Sequence, residues 1–284
     1  MPLSYPTFIA AYVISMVVGV FLGLLVTIGW KDLFWRKALE SARFNVVYIA
    51  VVVGMPLITL AENLIRDPAE ATREIIYTNW MFSIGGSAIR SLQNRLDYQF
   101  IADFFIVVYV WVFTYIIYFT PVLILAKDDR ATFRRYAIAI LFNYAILLPF
   151  YILFPVSVSG FYPDSGMTPL LYVNSNWGRM VTGVDPLNND FPSAHVSLIV
   201  TTVLVLSSAR VDYRGYYHFV VISAVLITFA VLYLGVHWLP DVFAGFALAV
   251  GATIVSSNER VQGAFDRRVR ALTAKIFKEA GTAP

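Results

Sequence analysis

The sequence predicts an all-α integral membrane protein with about seven transmembrane helices, the N-terminus outside and the C-terminus in the cytoplasm. Three observations carry this expectation. Of 284 residues, 59% are hydrophobic and only 14% are charged, where a soluble domain carries about a quarter charged residues. The apolar residues gather in runs near the roughly 20 that a helix needs to cross a bilayer. Lysine and arginine are divided unequally between the segments joining those runs.

The first run, Phe8 to Trp30, has no basic residue before it and is longer than the apolar region of a signal peptide, so it reads as a retained span. Gly19 and Gly23 give it a small-residue face for close helix contact. Further helices are expected over Val46–Ala61, Ile101–Ala126, Tyr136–Val158, Pro192–Ala209, Tyr217–Leu234 and Pro240–Ser256. The connecting segments 31–45, 127–135, 210–216 and 257–284 hold sixteen of the 21 Lys and Arg residues. Arg66, Arg73, Arg90, Arg95 and Arg179 fall on the other side. Basic residues collect in cytoplasmic loops, which fixes the orientation and requires an odd number of spans.

Two segments do not span. The outer segment 63–100 mixes charges with Ile75, Ile76, Trp80, Phe82, Ile89, Leu92 and Leu96, and is expected to form helices in the membrane interface. Residues 1–256 thus make one multi-pass membrane domain, followed by a tail, 257–284. In the tail, Val261, Phe265, Val269, Leu272 and Ile276 recur at helical spacing among Arg267, Arg268, Arg270 and Lys275. That is the pattern of a basic amphipathic helix on the inner leaflet. The net charge of +3, with no basic and aromatic cluster outside the apolar runs, gives no reason to expect nucleic acid. The absence of cysteine excludes disulfides, thiolate catalysis and cysteine-bound metals.

Two histidine motifs fall on the outer side. In Asn189-Asp190-Phe191-Pro192-Ser193-Ala194-His195, the proline marks a helix start. The first turn then offers free amides, and with the Ser193 hydroxyl these make an anion site. In Gly235-Val236-His237-Trp238-Leu239-Pro240-Asp241, a second proline marks a second start, with His237 just ahead of it and Asp241 in the first turn. A carboxylate beside an imidazole fixes its tautomer and frees the other nitrogen as nucleophile or base. Asp190 reads as a helix cap. His218 and the aromatics of the third helix (Phe104, Phe105, Tyr109, Trp111, Phe113, Tyr115, Tyr118, Phe119) read as packing or lipid-facing residues, and Asp103 as an interface residue.

Pro192-Ser193-Ala194-His195 followed by Gly235-x-His237-x-x-x-Asp241-Val242-x-Ala244-Gly245 resembles the type 2 phosphatidic acid phosphatase superfamily. The resemblance implies a phosphohistidine mechanism without metal or cofactor. His237 would attack phosphorus, Asp241 would orient it, His195 would protonate the leaving oxygen and Ser193 would bind phosphate. The sequence departs from the family pattern where a Ser-Arg pair is usual, since Ala230 and Val231 stand there, and it has no lysine followed after six residues by Arg-Pro. This is similar to the branch containing inositol phosphorylceramide synthase, which implies head-group transfer between lipids. The substrate would be a phospholipid or polyprenyl phosphate met in the bilayer, on the extracytoplasmic side of the cell membrane. Positive charge for the phosphorus is expected from Arg179 first and Arg90 second.

Other classes remain open at this point. Two histidines and a carboxylate can bind a metal, a lipid phosphate or polyprenyl diphosphate phosphatase needs only water as acceptor, and a lipid-binding or transport protein needs no chemistry. A retinal protein is excluded, because Lys31, Lys37, Lys127, Lys275 and Lys278 all lie outside the spans.

Overall fold

A computed structural model describes residues 3–29, 46–61, 70–96, 98–173 and 175–279. Trp30, the basic segment 31–45, Arg66 with its neighbours 62–69, Asp97 and the tail end 280–284 lie outside the described residues. Among the described residues, twelve α-helices follow one another: α1 (Tyr5–Thr27), α2 (Val46–Ala61), α3 (Glu70–Ser83), α4 (Gly86–Arg95), α5 (Gln99–Ala126), α6 (Arg130–Leu153), α7 (Leu170–Val173), α8 (Ser175–Thr182), α9 (Ala194–Ser207), α10 (Arg214–Tyr233), α11 (Leu239–Ser257) and α12 (Glu259–Glu279). Among the described residues there is no strand, only an isolated bridge between Val156 and Asn189. Among the described residues, five helices, α1, α5, α6, α10 and α11, are long and apolar enough to cross a membrane.

The helix ends differ from the apolar runs for local reasons. α6 starts at Arg130 instead of Tyr136 because the Asp129 carboxylate caps it, accepting the Thr132 N–H at 3.0 Å. The arginines of its second turn are paired across the bundle: Arg134 reaches Asp266 of α12 at 2.8 Å, and Arg135 donates to Ser208 and Ser257. Hydropathy reads such a turn as loop, whereas the ion pair lets the helix carry it. α9 starts at Ala194 instead of Pro192. Ser193 is its N-cap, with Oγ accepting the Val196 N–H at 3.3 Å, and the Phe191–Pro192 peptide before it is cis.

α9 has 14 residues, about 21 Å at 1.5 Å per residue, short of the ~30 Å hydrocarbon core. It is surrounded by α5, α6, α10 and α11, and so is apolar on every side. Its few polar groups find partners inside the bundle: Ser197 donates to the buried Asn143 of α6, whose amide donates to Thr201 at 3.1 Å. Against α11 the fit is closer still. A Cβ on Gly245 would stand 2.7 Å from the Ser193 carbonyl oxygen and 3.2 Å from Val196 Cβ. On the other flank, α1 meets α5 through Gly23, where a Cβ would strike the Tyr115 hydroxyl and the Phe119 ring. That is the contact the small-residue pair predicts.

The non-helical backbone above α9 is held by its own neighbours, as buried peptide groups require. Val156 and Val158 donate to Asn188 and Leu187 at 3.0 and 2.9 Å. Ser159 and Gly160 donate to Val236 and Gly235 at 3.2 and 2.8 Å. Gly235 ends α10 at φ +72°, a left-handed turn that glycine takes without strain. Over this platform lie α3 and α4, the helices expected from segment 63–100. Buried Gln93 of α4 donates to the carbonyls of Thr168 and Tyr233 at 2.8 and 3.0 Å and accepts the Thr168 N–H at 2.7 Å. A second small core of Met81, Ile89, Val156, Met167 and Trp238 joins them to the platform. Ile75, Ile76 and Trp80 stay exposed. The tail helix α12 turns Phe265 and Val269 toward the bundle, where Phe265 meets Tyr48, and leaves Arg267, Arg268 and Arg270 exposed.

Gly245→Val is expected to lower the thermal midpoint in detergent, because overpacking of this kind costs about 1–3 kcal/mol and the obstacle is backbone. Gly251→Ala on the same helix, where a Cβ meets only Phe142 at 3.9 Å, is expected to melt like the wild type.

Candidate active site

The two motifs meet. The backbone N–H of Ser193 donates to the carbonyl of Asp241 at 3.1 Å, so the start of α9 and the start of α11 are joined directly. The His195 and His237 rings lie 5.9 Å apart, centroid to centroid. Asp241, at the third position of α11, accepts the Trp238 N–H on Oδ2 at 2.7 Å. That bond folds the chain back over the helix start and sets His237 beside the carboxylate. Trp238, fully buried, is fixed in turn by its indole N–H donating to the Ser157 carbonyl at 2.9 Å.

His237 is 3% exposed and faces two carboxyl groups. Its Nδ1 is 3.5 Å from Asp241 Oδ2 and 3.7 Å from Asp190 Oδ1. Both distances are longer than a formed hydrogen bond, as uncomplexed sites often show. With Nδ1 turned to the carboxyl groups, Nε2 has no protein partner, and the ring lines an open cavity. Burial pushes the His237 imidazole down to about 3, so it is neutral at physiological pH. Asp190 is buried, 3% exposed, and its carboxyl is pushed well above the usual carboxylate range, by burial first and then by the charges of Asp241, Asp185 and Glu74. Asp190 is therefore part of the site and not merely a cap. The caps here are Ser193 and Trp238.

The cavity has a volume of about 420 Å³, with His195, His237, Asn189 and Asp185 in its wall. Five tyrosines line it, Tyr12, Tyr109, Tyr118, Tyr144 and Tyr151, together with Phe113 and Thr114. His195 is held between two aromatic rings of α5, Tyr109 at 4.4 Å and 28° and Phe113 at 4.5 Å and 45°. No lysine or arginine is among the described residues of the wall. Arg179 stands exposed at the far end of α8 with its guanidinium over the Tyr5 ring at 4.1 Å. Arg90 of α4 packs against Gly166. Neither expected arginine is in the cavity wall. Ser193 is likewise absent from the wall, its hydroxyl occupied in capping α9.

Sequence reading brought His195, His237 and Asp241 into one candidate site. In the sequence Asp190 reads only as a cap, and Tyr109 and Phe113 only as packing or lipid-facing residues. For Asp190, the one available signal was an acidic residue directly before a motif that already carried a cap. Asp190, His237 and Asp241 also form the group of potential metal ligands among the described residues, with one ligand atom each within 4.8 Å of the others.

The chain matches the model of the PAP2 superfamily over residues 82–255, a stretch that holds both motifs and the greater part of the chain. The protein belongs to this superfamily, which suggests a phosphatase or phosphotransferase acting on lipid phosphates. No curated protein and no solved structure matches the chain.

Burial pushes the Asp185 carboxyl up to about 7. Below that pH the group is neutral, and above it a negative charge stands in the cavity wall. The apparent affinity for an anionic lipid phosphate is therefore expected to fall as pH rises through about 7. Asp185→Asn should flatten that dependence. KM measured across neutrality with a phosphodiester lipid, whose own charge is constant there, checks this.

Proposed function

We propose that this protein is a membrane phosphotransferase that moves a phosphorylated head group from a phospholipid or polyprenyl-linked donor to a second lipid, through a phosphohistidine on His237. The observation carrying this reading is the neutral, unpartnered Nε2 of His237 on the wall of the cavity that also holds His195. In the first half-reaction, Nε2 forms the bond to phosphorus while the bond to the leaving oxygen breaks, and His195 gives that oxygen its proton. Imidazolium charge on His237 is met by the carboxyl groups behind Nδ1. In the second half-reaction, an acceptor hydroxyl attacks phosphorus, His195 takes its proton, and the P–N bond breaks.

The character of the cavity supports a phosphodiester donor over a phosphomonoester. A wall of tyrosines and apolar side chains, with no lysine or arginine among its described residues, desolvates a monoanion at lower cost than a dianion. Ser193 acts as a positioning residue through the cap of α9, and Arg179 and Arg90 are left outside the phosphate contacts. Seven spans, with the basic segments in the cytoplasm and the site on the extracytoplasmic side of the cell membrane, fit the distribution of lysine and arginine. A second reading rests on the Asp190–His237–Asp241 group, which has the donors for a metal-assisted phosphoesterase. Loss of activity to a chelator would favour it, whereas inhibition by vanadate with no chelator effect favours the phosphohistidine.

Purified protein in vesicles containing phosphatidylinositol, phosphatidic acid or polyprenyl diphosphate is expected to form a new phosphorylated lipid from the diester donor. Release of inorganic phosphate alone overturns the transferase reading. His237→Ala is expected to reduce turnover on the order of 10³-fold or more, and a rate equal to wild type sinks the catalytic assignment.

A further inference from the structure

Helix α5 changes its winding once, in a π-helical turn at Val108–Val112. Such single widened turns inside α-helices are frequent at functional sites. This one carries Tyr109, which lies on His195, and leads directly into Phe113, which lies on the same ring. Tyr109 is only 2% exposed and its hydroxyl has no hydrogen-bond partner, yet the residue lines the cavity together with His195 and His237. Two other tyrosines of the wall spend their hydroxyls on backbone carbonyls, Tyr12 on Val110 and Tyr151 on Pro192, each at 3.3 Å. A buried hydroxyl left without a partner is costly, and a ligand oxygen in the cavity would complete it. The carboxyl groups in electrostatic reach of it are Asp185 and Asp190.

We propose that Tyr109 is a catalytic residue whose hydroxyl donates a hydrogen bond to a non-bridging phosphoryl oxygen as His237 attacks, while its ring holds His195 in register. The proposal rests on the phosphohistidine reading of His237. It answers what the charge inventory leaves open: negative charge builds on the equatorial oxygens in the transition state, and the described cavity wall contains no lysine or arginine to meet it. A neutral donor fixed in a low-dielectric wall stabilises such charge without attracting a second anion into the ground state. The orphaned hydroxyl, the π turn and the stacked His195 are three separate observations that converge on one side chain.

The test compares wild type, Tyr109→Phe and His237→Ala in the vesicle assay, with thermal unfolding as the check on folding. Tyr109→Phe keeps the ring on His195 and removes only the oxygen. It is expected to melt like wild type, to lose about 10²- to 10³-fold in kcat with KM changed by less than about threefold, and to bind vanadate correspondingly more weakly. A kcat within about twofold of wild type in Tyr109→Phe, with His237→Ala inactive, overturns the Tyr109 assignment alone. Wild-type turnover by His237→Ala overturns the phosphohistidine reading and this proposal with it.

Discussion

The first turns of α9 and α11 touch backbone to backbone. Gly245 presents no side chain there, the Ser193 carbonyl fills the space a Cβ would take, and the Ser193 N–H is bonded to the Asp241 carbonyl. The geometry of the site follows from this contact. It fixes His195, two residues after Ser193, against His237, four residues before Asp241, and so turns two separate helix starts into one site. Any side chain at position 245 would separate the helices by pushing on a peptide group, which cannot rotate away.

Holding two helix starts side by side inside a bundle creates a difficulty with buried backbone. α9 by itself is shorter than the hydrocarbon core, so the rest of that crossing runs as loop among the helices. Peptide groups in such a position need partners. The segments around Val156–Gly160, Leu187–Asn188 and Gly235–Val236 supply them to one another, and Gln93 and Trp238 fasten the result from above. The same enclosure gives the site its electrical character. Burial keeps His237 neutral and pushes the Asp190 carboxyl above the usual carboxylate range, and hydroxyl groups line the cavity wall.

How far the site could be read from the chain depended on whether a residue's role was local. His195, His237 and Asp241 stand at proline-marked helix starts with fixed spacing, and both the spacing and the starts are visible in a linear sequence. The PAP2 match over residues 82–255 agrees with the resemblance those residues carried. Arg179 and Arg90 were expected at the phosphate because chemistry asks for charge and they were the nearest cations in sequence. Proximity in sequence says little when the residue sits on an amphipathic helix, since rotation about the axis decides where a long side chain points. An acid before a helix and an aromatic in an apolar run have common structural uses, so in the sequence Asp190 reads as a cap and Tyr109 as packing.

The sequence by itself determined that the chain is helical and apolar enough to enter a membrane, that small residues mark its close contacts, and that two histidines and an aspartate stand at helix starts. These follow from composition, periodicity and turn chemistry, which act over a few residues. Only the tertiary structure decided that Asp190 stands behind His237, that His195 lies between Tyr109 and Phe113, and that the arginines remain outside. Each of those facts joins residues far apart in the chain, and it depends on helix rotation and on the one-atom clearance at Gly245, which no local pattern encodes.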